Sequence, residues 1–426
     1  MELTFLVVFL LVLLVIGVPV AFALGIASLA TFVILDIPLV VAFQRMASGM
    51  NVFALMAIPF FVFAGDLMHR AGIAERLIRV ADAALGRMRG GLGQVDIGAS
   101  MLFGAVSGSA VASVSGIGSS LIPMMREKGY DADYAVNVSV TSAITGLLIP
   151  PSHNMIIYAA AAGVSISLAD LFLAGVIPGI LTGVLLMVAA WIVAVKRNYP
   201  RGAFPGMRAF FVAFAAALPG LVAALIIVLG ILSGVFTPTE SSAIAVVYTI
   251  IVAVLVYRSL DWTQFMQATT AAVRTTAMVM IVIGAAAAFG WLLALLQAPQ
   301  QLADLLKSIT ENPLLLLLLI NIVLLLLGTF MDMAPLIIIT TPIFLPMAQD
   351  LGMDPVHFGI MLLLNLGIGL VTPPVGSVLF VGCAVGGVPI ERTVRTIWPF
   401  YLAMLVALAL IIYIPGISLW LPELLN

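Results

Sequence analysis

Apolar residues run along this chain in stretches of membrane length, separated by short polar clusters, from its first residues to its last. A run of about 18 or more apolar residues is long enough to cross a hydrocarbon layer as a helix. The pattern predicts spans at 3–35, 51–68, 131–162, 171–195, 210–233, 240–257, 275–297, 356–385 and 397–420. Two further segments, 92–125 and 313–348, are too long for one crossing and carry small or helix-breaking residues near their middles. Each reads as a re-entrant hairpin. The alternating segments of about ten residues that mark a transmembrane β-barrel are not seen.

The pattern repeats. Pro150-Pro151, within Gly146-Leu-Leu-Ile-Pro-Pro-Ser-His-Asn154, recurs 223 residues later as Pro373-Pro374, within Gly369-Leu-Val-Thr-Pro-Pro-Val-Gly-Ser377. The same offset carries Pro123 onto Pro346, Gly129 onto Gly352, Asp131 onto Asp354, Gly146 onto Gly369 and Gly163 onto Gly386. Each Pro-Pro interrupts an apolar segment, and paired broken helices in two halves point to a transporter's binding site.

Basic residues give the sidedness, because Lys and Arg concentrate in cytoplasmic loops. Arg70, Arg76, Arg79, Arg87 and Arg89 precede the 92–125 segment, and Arg126 and Lys128 follow it. If that segment returns to the side it entered from, both clusters lie inside. Lys196, Arg197, Arg201, Arg208, Arg258, Arg274, Arg392 and Arg395 then also lie inside, leaving only Arg45 and Lys307 outside. Fifteen of the 17 basic residues are cytoplasmic on this map. The second segment is flanked by Asp304, Glu311, Asp350 and Asp354, which places both its ends outside.

The expected fold is therefore an all-α polytopic membrane protein built as an inverted-topology repeat, with two re-entrant hairpins and two broken helices. The repeats cover 1–205 and 236–426, and the stretch 206–235 supplies the odd crossing that inverts the second. Read this way, the amino terminus is cytoplasmic and the carboxyl terminus periplasmic. The stretch from Arg258 to Arg274 reads either as an interfacial helix or as a surface loop.

Composition narrows the class further. Hydrophobic residues make up 63% and charged residues 8%, against about a quarter charged in soluble domains, so no room remains for a soluble domain. The single cysteine, Cys383, excludes an internal disulfide and any multi-cysteine metal site. The start, Met1-Glu-Leu-Thr-Phe, has neither the basic n-region nor the cleavage site of a signal peptide. His69, His153 and His357 are scattered, and Walker A, GxSxG and dinucleotide motifs are missing. Enzyme chemistry, ATP as an energy source within the chain and a nucleic-acid partner are all disfavoured.

The chemistry-bearing residues lie at the irregular places. The first hairpin holds Gly104-Ala-Val-Ser-Gly-Ser-Ala-Val-Ala-Ser-Val-Ser-Gly-Ile-Gly-Ser-Ser120, whose tip, at Ser107, Gly108 and Ser109, offers carbonyls and hydroxyls to a hard cation. Ser115 to Ser120 read instead as small residues allowing close packing, with a binding role as the alternative. At the breaks, proline frees carbonyls upstream and the restarting helix exposes amides, which suit a cation and a carboxylate respectively. Ser152 and Asn154 flank the first break, and Thr372 and Ser377 the second. Asp332, in Gly328-Thr-Phe-Met-Asp-Met-Ala-Pro335, is the one acidic residue well inside a predicted membrane segment. It can ligate a cation, take a proton, or cap the returning helix. Thr237-Pro-Thr-Glu240 has the form of a capping box, which accounts for Glu240. Asp66, Asp96 and Asp170 sit near span ends and are expected at the interface. No side chain at either hairpin or break is basic except histidine.

Ala57-Ile-Pro-Phe-Phe-Val-Phe-Ala-Gly65, the Gly/Ser-rich hairpin, Ile149-Pro-Pro-Ser152, Gly234-Val-Phe-Thr-Pro-Thr-Glu240, Gly328-Thr-Phe-Met-Asp332 and Val371-Thr-Pro-Pro-Val-Gly376 together resemble the large membrane subunit of the tripartite ATP-independent periplasmic (TRAP) transporters. The resemblance covers essentially the whole chain, in order. It implies an elevator-type scaffold and transport domain in the bacterial inner membrane, similar in architecture to the divalent-anion/sodium symporters. It also implies a small four-helix membrane subunit, a periplasmic binding protein that delivers a carboxylate, and Na+ as coupling ion. Carried onto this chain, the ion sites involve Ser107, Gly108, Ser109, Pro150, Ser152 and Asn154, then Gly328, Asp332, Thr372, Pro373 and Gly376. The substrate falls to Ser109, Ser152, Asn154, Asp332 and Ser377. A stand-alone anion/sodium symporter and a passive anion channel are the rival readings.

The hairpin reading has a direct test. Cysteines placed at Arg87 and Lys128 should both be labelled by an impermeant maleimide from the cytoplasmic face alone; labelling from opposite faces would break the hairpin and the inversion together.

Overall fold

The computed structural model describes residues 1–162, 166–202, 205–310 and 312–425. Gly163, Glu311 and part of the 196–208 linker lie outside these. Among the described residues every regular element is helical. Several expected spans reappear nearly unchanged, as Phe53–Arg70, Leu168–Lys196, Met207–Leu232 and Pro238–Val256. The last begins with the anticipated capping box: Glu240 N–H donates to the Thr237 hydroxyl, and the Glu240 carboxylate accepts from Thr237 N–H.

Three spans differ from expectation. The stretch 3–35 is two helices, Glu2–Val15 and Val20–Ile34, that pack side by side. Gly17 N–H bonds to Leu14 O and Val18 N–H to Leu13 O, closing the first helix in the tight manner that lets a chain reverse, and Pro19 caps the second. Uniform hydrophobicity hid the reversal. In contrast, 262–295 is a single 34-residue helix, Trp262–Leu295. With no proline inside it, nothing divides an interfacial piece from the span, and its length of about 51 Å exceeds the hydrocarbon core. Finally, the stretch 397–420 turns by 57° between Trp398–Tyr413 and Gly416–Leu425, at Pro415.

Both long segments are hairpins. In the first, Gly91–Ser107 ends at Gly108, whose left-handed φ of +60° closes the helix with an N–H bond to Gly104 O of 2.8 Å. Ser109 then caps the returning arm by accepting from Ala112 N–H. That arm runs through Ala110–Ser113, the π-helical Val114–Gly118 and Ser119–Glu127. In the second hairpin Pro313–Gly328 returns as Met333–Asp350, capped by Asp332. Ser109 and Asp332 stand 223 residues apart, so one capping position is filled by a hydroxyl in one half and a carboxylate in the other.

The hairpins enter from opposite ends of the molecule. Arg89, before the first, donates to Asn198, while Asp131, after it, accepts from Arg197 at 2.9 Å. Both ends of the first hairpin therefore meet at residues 197–198. Asp133 is gripped there by Arg197 and Arg392, and burial, then its bond to Asp131, pushes the Tyr199 phenol up to about 12, keeping it a hydrogen-bond donor. From Arg392 the chain passes into Trp398–Tyr413 and reaches the far end. At that end Tyr413 donates to Leu314 O, at the start of the second hairpin, and His357, after it, bonds to Ile411 O at 2.7 Å.

Behind each hairpin lies a broken helix. The first comprises Ala132–Ser142 and Thr145–Leu148, then His153–Ala161 beyond a bend of 52°. The second comprises Pro355–Gly369 and Ser377–Gly386. The Pro150-Pro151 and Pro373-Pro374 bonds at the two breaks are cis. Each hairpin crosses its broken helix at a pair of glycines in backbone contact. A Cβ on Gly146 would lie 2.5 Å from Gly104 Cα, and one on Gly369 would lie 2.5 Å from the carbonyl carbon of Gly328. Buried polar clamps reinforce both crossings. Asp96 accepts from Ser139 and from Ser142 at 2.9 Å, and Asn365 donates to Asn321 Oδ1 at 2.8 Å.

Because the opposing atoms at these crossings are backbone and cannot swing aside, Gly146→Ala and Gly369→Ala should each cost roughly 1–3 kcal/mol of overpacking. Their thermal unfolding in detergent should fall by several degrees, whereas Gly290→Ala, with nothing within 4 Å of the new methyl, should match the parent. Equal melting of all three would refute the crossing geometry.

Candidate functional site: a cavity between the hairpin tips

The first tip sits against the first break. A Cβ on Gly108 would lie 3.3 Å from both Pro151 O and His153 N, and Asn154 Nδ2 reaches Gly108 O at 3.5 Å. The Ser107 and Ser152 hydroxyls are buried there without a hydrogen-bond partner among the described residues. An unpartnered buried hydroxyl costs about 1–3 kcal/mol, so its retention calls for a reason such as an ion. Pro150 is buried at the same place.

At the second tip, Val375 and Gly376 N–H donate to Thr329 O at 3.1 and 3.3 Å, stitching the turn to the second break. Asp332 accepts from Met333 N–H at 2.9 Å, so its capping role is realised. The Thr372 hydroxyl is taken up by Ile368 O in the last turn of the preceding helix, at 2.7 Å. Gly328 lies against Gly369, and Ser377 carries a third buried hydroxyl without a partner. Pro373 is partly buried beside the exposed Pro374 and Val375.

One cavity of about 520 Å³ joins these parts. Ser107, Ser109, Asn154 and Asp332 line it, with Leu370 at the edge of the second break. Of the residues singled out from the sequence, these four converge on shared space. Gly108, Pro150, Ser152, Gly328, Thr372, Pro373, Gly376 and Ser377 stand behind the wall or away from it. The restarting ends of two helices, at His153 and Met333, also face the cavity, and such amide ends carry partial positive charge.

Sequence reasoning missed the facing wall. It comes from Asp66, His69 and Arg70 of Ala57–Arg70 and from Ala271, Thr275 and Val279 of Trp262–Leu295. Arg70 brings a basic side chain to a site whose hairpin tips and breaks lack arginine and lysine, paired with Asp66 at 2.8 Å. Asp66 and Arg70 stand one helical turn apart at a span end, and nothing in their linear neighbourhood reports a hairpin tip across from them. Asp96 was also misplaced. Instead of lying at the interface it is fully buried with three serine hydroxyls, because the helix it sits on dives between neighbours. Among the described residues no three His, Cys, Asp or Glu side chains gather as metal ligands.

Opposed hairpins, two broken helices and a cavity shared by their tips define a polytopic transport permease, not an enzyme. The fold has solved counterparts: the structure of the Alcanivorax borkumensis YdaH transporter matches with a TM-score of 0.59, covering 88% of each chain at 16% identity. Residues 7–417 match the model of the family described as tripartite ATP-independent periplasmic transporter, DctM component, and the chain belongs to that family. It is 41% identical over 410 residues to the sialic acid TRAP transporter large permease SiaM of Vibrio cholerae, covering 96% of this chain and 95% of that one. It is 42% identical over 371 residues to the C4-dicarboxylate TRAP transporter large permease DctM of Pseudomonas aeruginosa, covering 87% and 86%.

Cysteine substitution checks the cavity wall. In a Cys383→Ala background, Ser109→Cys and Asp332→Cys should react with a small charged methanethiosulfonate, while Ser152→Cys should react at least tenfold more slowly. Equal rates at all three positions would contradict the placement.

Proposed function

We propose that this chain is the membrane-embedded transport subunit of a sodium-driven importer of small organic acids. The observation that carries the reading is the cavity on which both hairpin tips and the two restarted helices converge. Its volume falls in the range of ligand pockets for small molecules. Sialic acid and C4-dicarboxylates, named for two relatives, share a carboxylate, and the amide ends at His153 and Met333 suit that group. In this reading Ser109, Asn154 and Asp332 face the substrate from the hairpin side.

Sodium is assigned to the two tip–break junctions. The first offers the oxygens of Ser107, Gly108, Ser109, Pro150 and Ser152, with Asn154 adjoining. The second offers Gly328, Asp332, Thr372, Pro373 and Gly376. The orphaned hydroxyls of Ser107 and Ser152 favour the first site most directly. Occupation of both junctions would hold the tips against the breaks and order the substrate groove. Hairpins and broken helices would then move as one body past the wall formed by Ala57–Arg70 and Trp262–Leu295, an elevator motion. The expected partners are a small four-helix membrane subunit and a periplasmic binding protein, in the bacterial inner membrane.

The sidedness follows from the charges with one change. The packing of Glu2–Val15 against Val20–Ile34 supports two crossings there in place of one, which would put the amino terminus on the side opposite Arg70, the periplasm. Each half then has five crossings and one hairpin. Five is odd, so the repeat inverts by itself and Met207–Leu232 becomes the opening helix of the second half.

Reconstituted with its partners, the protein should accumulate substrate only under an inward sodium gradient. Asp332→Asn, which preserves size and assembly, should lower that uptake at least tenfold and weaken its sodium dependence. Unaltered sodium dependence in the variant would remove Asp332 from the coupling site.

A further inference from the structure

Helix Ala57–Arg70 ends in a guanidinium whose position the transport reading leaves without a task. Arg70 Nε donates to Asp66 Oδ2 at 2.8 Å, and Nη1 donates to Gln267 Oε1 at 2.7 Å. Guanidinium has five N–H groups, so three remain after these bonds. Arg70 and Asp66 are only about a quarter exposed, at 26% and 25%. The pair is therefore held in a fixed orientation by neighbours on two helices rather than waving in solvent.

Arg70 also separates two spaces. On one side is the substrate cavity between the hairpin tips. On the other is an open surface groove lined by Arg70, Gln267, Thr270, Arg274 and Trp262. Arg70 and Ala271 border both. Arg274 is exposed and makes no ion pair among the described residues. The loops at this end carry most of the chain's arginines, which marks it as cytoplasmic. Arg70 thus stands at the cytoplasmic edge of the substrate cavity, partly neutralised by a carboxylate at its side.

We propose that Arg70 forms an anion-receiving subsite at the cytoplasmic edge of the substrate cavity, with Asp66 as a built-in competitor that keeps the subsite weak. This rests on the carboxylate reading above. A carboxylate leaving the helix ends at His153 and Met333 meets the free N–H groups of Arg70, a planar fork that matches carboxylate geometry. Asp66 already occupies Nε, so the incoming group cannot take the full fork and is released rather than retained. Because the subsite lies on the wall and not on the hairpins, it acts when the cavity faces the cytoplasm.

The test uses the permease with its small subunit in sodium-loaded proteoliposomes, with the periplasmic binding protein supplied at the outer face, and succinate, gluconate and N-acetylneuraminate as labelled probes. Half-saturation is measured separately for substrate presented at the inner and outer faces. Arg70→Gln should raise the inner-face constant at least tenfold more than the outer-face constant, and Arg70→Lys should fall between it and the parent. Asp66→Asn should act in the opposite direction at the inner face, lowering the constant several-fold and slowing efflux. Equal shifts at both faces in Arg70→Gln would mean a merely structural ion pair and overturn the proposal. So would Asp66→Asn shifting the inner-face constant in the same direction as Arg70→Gln. Failure of the parent protein to carry any of the three probes would instead sink the carboxylate reading itself.

Discussion

The constraint on which this structure turns is that backbone polar groups inside a membrane have no water to bond to. A helix interrupted at membrane depth is viable only where something else meets its freed amides and carbonyls. Here that something is the other irregular element of the same half. Thr329 O receives two amides of the second break, and Gly108 sits within contact of Pro151 and His153 at the first. Neither tip nor break would be tolerable alone, so the two come as a unit in each half.

Close approach makes the unit possible. Glycine faces glycine where each hairpin crosses its broken helix, and polar clamps at Asp96 and Asn321 lock the crossings without a counter-charge. The consequence is a rigid body made of four apolar arms that ends, at its centre, in polar oxygens. The hairpin side brings one carboxylate, Asp332, and the wall opposite an ion pair, Asp66 and Arg70.

Much of this was legible in the linear chain because its causes are local or periodic. Proline pairs at a constant offset report the breaks, and small residues at 107–109 report a tip. The Thr237 capping box reports a helix start. What escaped notice did so for physical reasons. The turn at Gly17 lies in an unbroken hydrophobic run, where length alone cannot distinguish one tilted span from two short helices. Helix Trp262–Leu295 is polar at its start, which suggests a boundary that the backbone ignores. Asp96 looks like an interfacial acid until the serines of a helix some forty residues away close over it.

By itself, the sequence determined that the chain lives in a membrane, that it is doubled, and where its helices must break, since hydrophobic length, proline and glycine act on the nearest residues. Tertiary structure alone decided which of the polar residues share a space. Ser109, Asn154 and Asp332 meet because two hairpins enter from opposite ends and stop at the same depth. Arg70 joins them because a helix from the first half packs along one from the second. Those are relations between distant segments, fixed by packing geometry, and no local pattern encodes them.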